Sequence, residues 1–193
     1  MEPDKKTIIK SQSEYSHLVR PLVFCLLVAI ITIIPARIIG YGYMPMDDAN
    51  RHAAKVVSGK DWSEILVLRD DVKMDSHPGW HAILNVFYKA TNYNTDKLVD
   101  ISIIIMFTLF SLVPLVLLNR PEAWPISLLI FAVASPSLIH RLLLGRPYIF
   151  TMSVVLVICF LWPRLRNKKL PYTFLIILTL LMAASTWIHC VWY

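Results

Sequence analysis

Apolar residues are concentrated in five long runs along the chain. The runs that lack Asp, Glu, Lys and Arg cover residues 21–36, 101–119, 123–140, 147–163 and 170–193. Each run approaches or exceeds the roughly 18–20 residues with which a helix crosses the apolar core of a bilayer. The sequence therefore predicts an all-α fold, a polytopic membrane helical bundle with about five transmembrane helices. The predicted spans lie near 20–40, 98–118, 123–140, 147–163 and 170–190.

Composition supports a membrane protein and excludes several other classes. Of the 193 residues, 56% are hydrophobic and 17% are charged, and the mean hydropathy is +0.58. Such a chain is too apolar to be disordered, and its apolar runs are too long for a soluble helical bundle. The three cysteines, Cys25, Cys159 and Cys190, lie in apolar runs and are odd in number, which indicates buried or lipid-facing thiols and no disulfide scaffold.

The distribution of basic residues predicts the orientation in the membrane. The net charge is +6, but the basic residues are scattered or flank the apolar runs, so a nucleic-acid partner is not expected. Lys and Arg are dense in the 1–20 tail, at Arg120 and in the 164–169 connection. The positive-inside rule then predicts a multi-pass protein of the cell (inner) membrane with a cytoplasmic N-terminal tail. The tail is not a cleavable signal, because some twenty polar or charged residues precede the first apolar run.

The loop between the first two spans, residues 41–97, is predicted to be extracytoplasmic and to carry the chemistry. Eight of the 13 acidic residues lie in it. Its periodicity predicts short amphipathic juxtamembrane helices over Ala49–Ser58, Trp62–Arg69 and Trp80–Ala90. The third helix presents one apolar stripe, and such helices are expected to lie along the membrane surface. The stripe consists of Trp80, Ile83, Leu84, Phe87 and Tyr88.

Paired carboxylates open the first of these helices. Asp47 and Asp48 follow a predicted span directly, where they could act as a base or bind a divalent cation such as Mg²⁺ or Mn²⁺. The alternative is that they only cap the helix and interact with its dipole.

Three histidines in the loop each lie four residues from another polar residue, a spacing typical of one helix face. Asp48 and His52 are four residues apart, as are His77 and His81. Residues four apart share a face of a helix, so an Asp/His cluster could bind a metal ion, with Asp47 and His52 as candidate ligands. The simpler alternative is that these are solvated loop histidines.

Basic residues on the predicted outer side are candidates for binding phosphate. Arg141 and Arg146 lie in a short outer loop against the positive-inside trend, and Arg51 and Lys55 lie on the predicted first helix of the 41–97 loop. A phosphate ligand would account for the two loop arginines, and so would interaction with lipid head groups. His189, near the outer end of the last span, is either an ionisable functional group or part of an interfacial aromatic belt.

The order of these motifs resembles the GT-C superfamily of membrane glycosyltransferases. The segment Tyr43–His52, with its Asp-Asp pair, is similar to the acidic motif that opens the first outer loop of that superfamily. The segment His77–His81 is similar to the His-Pro segment that opens the second juxtamembrane helix. Gly145–Tyr148 is similar to an Arg-Pro-acid segment before a later span, with Tyr148 in place of the acid. Members usually have seven to thirteen spans, so the chain is expected to be the N-terminal part of a longer protein.

The resemblance implies a function and a partner. A member of this superfamily transfers a sugar from a polyprenyl-phosphate donor, a lipid-linked sugar, to an acceptor on the extracytoplasmic side. Asp47 would act as general base with Asp48 beside it. Arg51, His77, His81, Arg141 and Arg146 would contact the substrate. Membrane lipids would surround the bundle, and the acceptor is not implied.

Two other functions fit parts of the sequence. A non-catalytic scaffold or assembly protein of the membrane would use the Asp pair only to cap a helix. A transporter or flippase is less consistent with the sequence, because no acidic residue lies deep in a predicted span and no pair of spans is broken by Gly and Pro.

Overall fold

The described part of the chain is entirely helical in its regular structure. The computed structural model describes residues 5–40, 48–61, 64, 75–165 and 171–190. The helices are α1 (Lys5–Gly40), α2 (Asp48–Ser58), α3 (Pro78–Thr91), α4 (Thr95–Leu117), α5 (Ala123–Ala134), α6 (Pro136–Leu142), α7 (Tyr148–Leu165) and α8 (Tyr172–Ile188). Asp47, most of the predicted helix Trp62–Arg69 and residues 166–170 lie outside the described residues.

The helices lie where the apolar runs predict them, with two differences. Helix α1 begins at Lys5 and so includes most of the predicted polar tail. The predicted third span is two helices, because Pro136 interrupts it and Ser135 leaves the helical conformation. Proline disfavours the α conformation in the residue before it, which explains the break.

One helix in the described residues, α4, is long and apolar enough to cross a membrane. The segments Pro21–Arg37, Ala123–Ala134, Tyr148–Trp162 and Tyr172–Ile188 are shorter apolar helices. The side chain of Asn94 caps α4 by accepting a hydrogen bond from the backbone N–H of Lys97 (3.1 Å).

Helix α4 is also the centre of the packing. It contacts α1, α2, α3 and α7, and it contributes a buried apolar face to the main hydrophobic core. That face consists of Leu98, Val99, Ile103, Met106, Phe107 and Phe110.

The ends of several helices meet at one end of the bundle, which we call the site end. Gly145, with a φ of +62°, brings the loop before α7 against the third turn of α4, since a Cβ there would lie 3.1 Å from the Ile103 nitrogen. The Ser185 hydroxyl donates a hydrogen bond to Thr151 Oγ1 (2.8 Å), which joins the end of α8 to the start of α7. The site end therefore contains the first half of α4, the start of α7 and the end of α8.

Helix α3 packs its predicted apolar stripe inward. Trp80 and Leu84 are buried, while Ile83, Phe87 and Tyr88 are partly buried against the core. The helix begins against α8, because a Cβ on Gly79 would lie 2.6 Å from the Trp187 ring. This packing holds the start of α3 at the site end, with His77 directly before the helix and His81 in its first turn.

Candidate functional site

Helix α2 begins with an acid and a histidine in contact. Asp48 Oδ2 lies 3.3 Å from Nε2 of His52, one helical turn later. The other carboxylate oxygen of Asp48 accepts a hydrogen bond from the exposed guanidinium of Arg51. His52 is 0% exposed, and the Asp48 side chain is 23% exposed. The carboxylate therefore lies at the boundary between solvent and a buried ring.

A second histidine continues the contact from α2 to α3. His52 Nδ1 lies 2.7 Å from His81 Nε2, and His81 Nδ1 lies 2.6 Å from Asp75 Oδ2. The Asp75 side chain is 25% exposed. Asp48, His52, His81 and Asp75 thus form one continuous series, which we call the Asp–His–His–Asp chain: its two imidazoles are buried and its two carboxylates reach the surface.

His77 lies beside this chain at the N-terminus of α3. Asp75 Oδ1 accepts a hydrogen bond from the His77 backbone N–H (2.8 Å), and the Ser76 hydroxyl lies 2.8 Å from His77 Nδ1. The His77 ring makes an edge contact with His52 at a centroid distance of 4.6 Å. Pro78 follows at the first helical position, where its missing N–H costs nothing.

Ring contacts connect the histidines to Tyr148, the first residue of α7. The centroid of His77 is 5.0 Å from that of His189, and His189 is 6.3 Å from Tyr148. The backbone N–H of Cys190 donates to the Ser76 carbonyl (3.2 Å), and the Tyr148 hydroxyl donates to the Arg141 carbonyl (3.2 Å). The His-Pro segment and the Arg-Pro segment therefore lie at the same end of the bundle.

Burial and neighbouring charges shift the ionisation of three of these groups. The pKa of Asp48 is lowered to about 2, first by the hydrogen bond with His52 and also by the positive charges of His52 and Arg51, while burial opposes the change. The pKa of His77 is lowered to about 4, first by burial and then by the charges of His52 and His189. Burial also lowers the pKa of His81, against the opposing effect of Asp75. At neutral pH, Asp48 is thus a carboxylate, and His77 and His81 are neutral.

These shifts predict that the fold weakens in mild acid. Between pH 6.5 and about pH 4 the unfolded chain binds a proton at His77 that the folded chain does not, so the free energy of unfolding falls as the pH falls. His81 acts in the same direction. We expect a loss of about 1–2 kcal/mol between pH 7.5 and pH 5, measured by thermal unfolding of the detergent-solubilised chain. His77→Gln should reduce the pH dependence, and equal pH dependence in the two proteins would contradict the assignment.

The metal site predicted from the sequence is not formed by the described residues. They contain no group of three or more His, Cys, Asp or Glu side chains that could hold a metal ion. Both ring nitrogens of His52 already contact polar partners, Asp48 and His81. His52 therefore belongs to the Asp–His–His–Asp chain. Asp47, the other predicted ligand, lies outside the described residues, so the metal site stays a prediction.

The structure brings some of the predicted site residues together and leaves others at the surface. Asp48, His52, His77 and His81 form one cluster, and the expectation of solvated loop histidines is wrong because the three rings are buried. Arg141, at the end of α6, is exposed, and Arg146, in the turn before α7, is half-buried. Arg51 is exposed and paired with Asp48, and Lys55 donates to the Lys60 carbonyl.

Sequence reasoning missed one member of the cluster. Asp75 was one of eight acids in the loop and had no assigned role, yet it contacts both the His81 ring and the backbone of His77. The available signal was its position two residues before His77, since Asp side chains commonly accept hydrogen bonds from backbone N–H groups two residues later.

Cysteines and exposed apolar residues mark the rest of the surface. Cys25, Cys159 and Cys190 are free and exposed. The sequence predicted buried or lipid-facing thiols, and the prediction of burial is wrong. Large apolar side chains are exposed on most of the long helices, among them Leu22, Val116, Val133 and Leu180.

Comparison with known proteins identifies no relative of this chain. No protein-family model, no curated protein and no solved structure matches the chain.

Proposed function

We propose that the chain acts as a membrane glycosyltransferase that transfers a sugar from a polyprenyl-phosphate donor to an acceptor on the extracytoplasmic side of the cell membrane. The observation that carries the proposal is the buried Asp–His–His–Asp chain at the site end, together with Arg141 and Arg146 at the same end, to which His77, His189 and Tyr148 connect it. This arrangement combines groups that can remove a proton with groups that can bind a phosphate.

Exposed apolar surface supports the membrane part of the proposal. Val116 is 84% exposed and Val133 is 83% exposed, on α4 and α5, and α8 carries a row of exposed Leu, Ile and Met side chains. Apolar surface of this extent is unfavourable in water and favourable against lipid. We propose five spans, formed by the second half of α1, by α4, by α5 with α6, by α7 and by α8, with the site end outside.

The proposed reaction places different demands on the two sides of the anomeric carbon. On one side an acceptor hydroxyl attacks and must lose its proton, which suits a carboxylate such as Asp48. On the other side the polyprenyl phosphate leaves with the bonding electron pair, which a guanidinium can stabilise. Arg141, at the end of α6, and Arg146, in the turn before α7, flank Tyr148, whose ring contacts His189. A single displacement of this kind inverts the anomeric configuration.

The alternative of a non-catalytic scaffold accounts less well for the buried polar groups. A scaffold needs Asp48 only as a helix cap, whereas Asp48 contacts the side chains of Arg51 and His52. Buried charged and polar groups seldom add stability over apolar residues of the same size. Four such groups in one chain that reaches the surface at both ends are better explained by a catalytic role than by a contribution to the stability of the fold.

A transfer assay tests the proposal. Vesicles that contain the expressed protein would be mixed with a set of undecaprenyl-phosphate sugars, each radiolabelled in the sugar, and with a cell-envelope extract as acceptor, with Mg²⁺ and Mn²⁺ present or chelated. We expect label from one donor to move into a product that vesicles without the protein do not form. If every donor stays intact, the scaffold is the better account.

A further inference from the structure

The Asp75 carboxylate contacts both ends of the turn that leads into α3. Its Oδ1 accepts a hydrogen bond from the backbone N–H of His77 (2.8 Å), and its Oδ2 lies 2.6 Å from Nδ1 of His81. A carboxylate carries no proton and can only accept, so the His81 N–H donates to it. One side chain therefore uses both of its oxygens to hold the two histidines that flank residues 78–80.

The two contacts of Asp75 differ in kind. The bond to the His77 N–H is a common local motif, in which an Asp side chain accepts from the backbone two residues later. The bond to His81 joins two side chains that are six residues apart. Because a hydrogen bond to a charged group is roughly twice as strong as one between neutral groups, this second contact fixes the orientation of the His81 ring.

His81 passes this constraint on to α2. Its other nitrogen, Nε2, lies 2.7 Å from Nδ1 of His52, and Nε2 of His52 lies 3.3 Å from the Asp48 carboxylate. His52 is 0% exposed and His81 is 8% exposed, so each ring is held both by its packing and by a polar partner at each nitrogen. A rotation of the His81 ring would break its contact with His52, and the position of Asp48 therefore depends on His81.

The packing of α3 itself has other sources. Trp80 and Leu84 lie in the core, and Gly79 lies against the Trp187 ring. Asp75 lies outside the helix, and its side chain is 25% exposed. Apolar burial therefore supplies most of the stability of α3, and the main contribution of Asp75 is to orient the polar groups beside it.

We propose that Asp75 is a positioning residue of the proposed glycosyl transfer, which holds the Asp48 carboxylate in place through the two buried histidines between them. The inference rests on the proposed function. Asp75 lies three contacts from Asp48 and acts through the rings of His81 and His52. Such positioning affects a rate strongly, because a displacement of about 1 Å can cost about 10²-fold.

The variant Asp75→Asn separates the two contacts. It keeps the size of the side chain but has one oxygen for two N–H groups, and asparagine commonly makes the backbone contact. Its NH₂ group cannot accept a hydrogen bond from His81. If Asp75 only stabilised the turn, asparagine would replace it, whereas a residue that orients His81 cannot be replaced in this way. The matched control is Asp96→Asn, which changes an exposed acid at the start of α4.

Chemical modification of the histidines measures the positioning without any substrate. The whole chain in nanodiscs would be treated with diethyl pyrocarbonate at neutral pH, and modification would be quantified by peptide mass spectrometry with the exposed His140 as internal reference. In the wild type we expect His52 and His81 to react far more slowly than His140, because both rings are buried. Asp75→Asn should raise both rates roughly tenfold or more, the effect of losing one hydrogen bond to a charged group. Asp96→Asn should leave both rates unchanged.

A transfer assay then connects the positioning with the function. Where the wild type transfers sugar, Asp75→Asn should lower kcat roughly tenfold to a hundredfold and leave the KM for the donor close to that of the wild type. Unchanged protection of His81 in Asp75→Asn, or a wild-type kcat in that variant, would overturn the inference. A wild-type protein that protects both histidines but transfers no sugar would contradict the proposed function, and the modification rates would still decide whether Asp75 orients His81.

Discussion

Replacing Asp48 with asparagine is expected to lower sugar transfer by a factor on the order of 10²–10⁴, the usual contribution of a general base. Asparagine keeps the shape of the side chain and can still accept a hydrogen bond from Arg51, but it cannot take up the substrate proton. The measurement is the initial rate of label transfer from the active undecaprenyl-phosphate sugar.

The control for this change is Asp96→Asn, which alters an exposed acid at the start of α4. It should transfer sugar at the wild-type rate. Asp48→Asn should lose about 1–2 kcal/mol of stability, because the lowered pKa of Asp48 means that the fold stabilises its charged form, and partial exposure screens part of that stabilisation. The helix is still held by its buried residues, Ala49 and Ala53 among them, so the variant should fold. Near-normal transfer by Asp48→Asn would assign the base to another residue, and Asp47 is then the candidate that the sequence offers.

Replacing Trp80 with alanine is expected to destabilise the protein by about 3–5 kcal/mol, the range for a fully buried large aromatic side chain. Trp80 is 1% exposed and belongs to the main core, and its indole N–H finds no acceptor among the described residues. The loss is therefore of apolar packing. Thermal or denaturant unfolding in detergent measures it.

The matched control is Val86→Ala on the same helix. Val86 is 67% exposed, so its truncation should change stability by less than about 0.5 kcal/mol. Because His77 directly precedes α3 and His81 lies in its first turn, Trp80→Ala should also disturb the packing of both rings. Equal stability of the two variants would show that α3 is not packed on the core as described.

Local patterns in the sequence predicted the helices that build the site. Helical spacing placed Asp48 and His52 on one face of α2. The periodicity from Trp80 to Tyr88 identified the apolar stripe of α3, which was expected at the membrane surface and packs on the core instead. Both features depend on residues within one or two turns, where the geometry of a helix is fixed. The break between α5 and α6 shows the limit of hydropathy alone, because Pro136 divides a run that is uniformly apolar.

The contacts that make the cluster were beyond the reach of local patterns. His52 and His81 are 29 residues apart, and whether two histidines meet depends on how α2 and α3 pack. Burial of the rings has the same origin, since both helices lie on α4. Asp75 could not be distinguished from the seven other acids of its loop until the position of His81 was known.

Binding of undecaprenyl phosphate tests the central claim most directly, because this lipid is the product whatever the sugar and the acceptor are. The purified chain in nanodiscs would be titrated with undecaprenyl phosphate and, separately, with undecaprenol, which lacks the phosphate, and thermal unfolding would be followed. We expect the phosphate lipid alone to raise the unfolding temperature, and we expect Arg146→Gln to reduce that rise while leaving the unliganded protein nearly as stable. Equal effects of the two lipids, or an undiminished rise in Arg146→Gln, would contradict a polyprenyl-phosphate site at this end of the bundle.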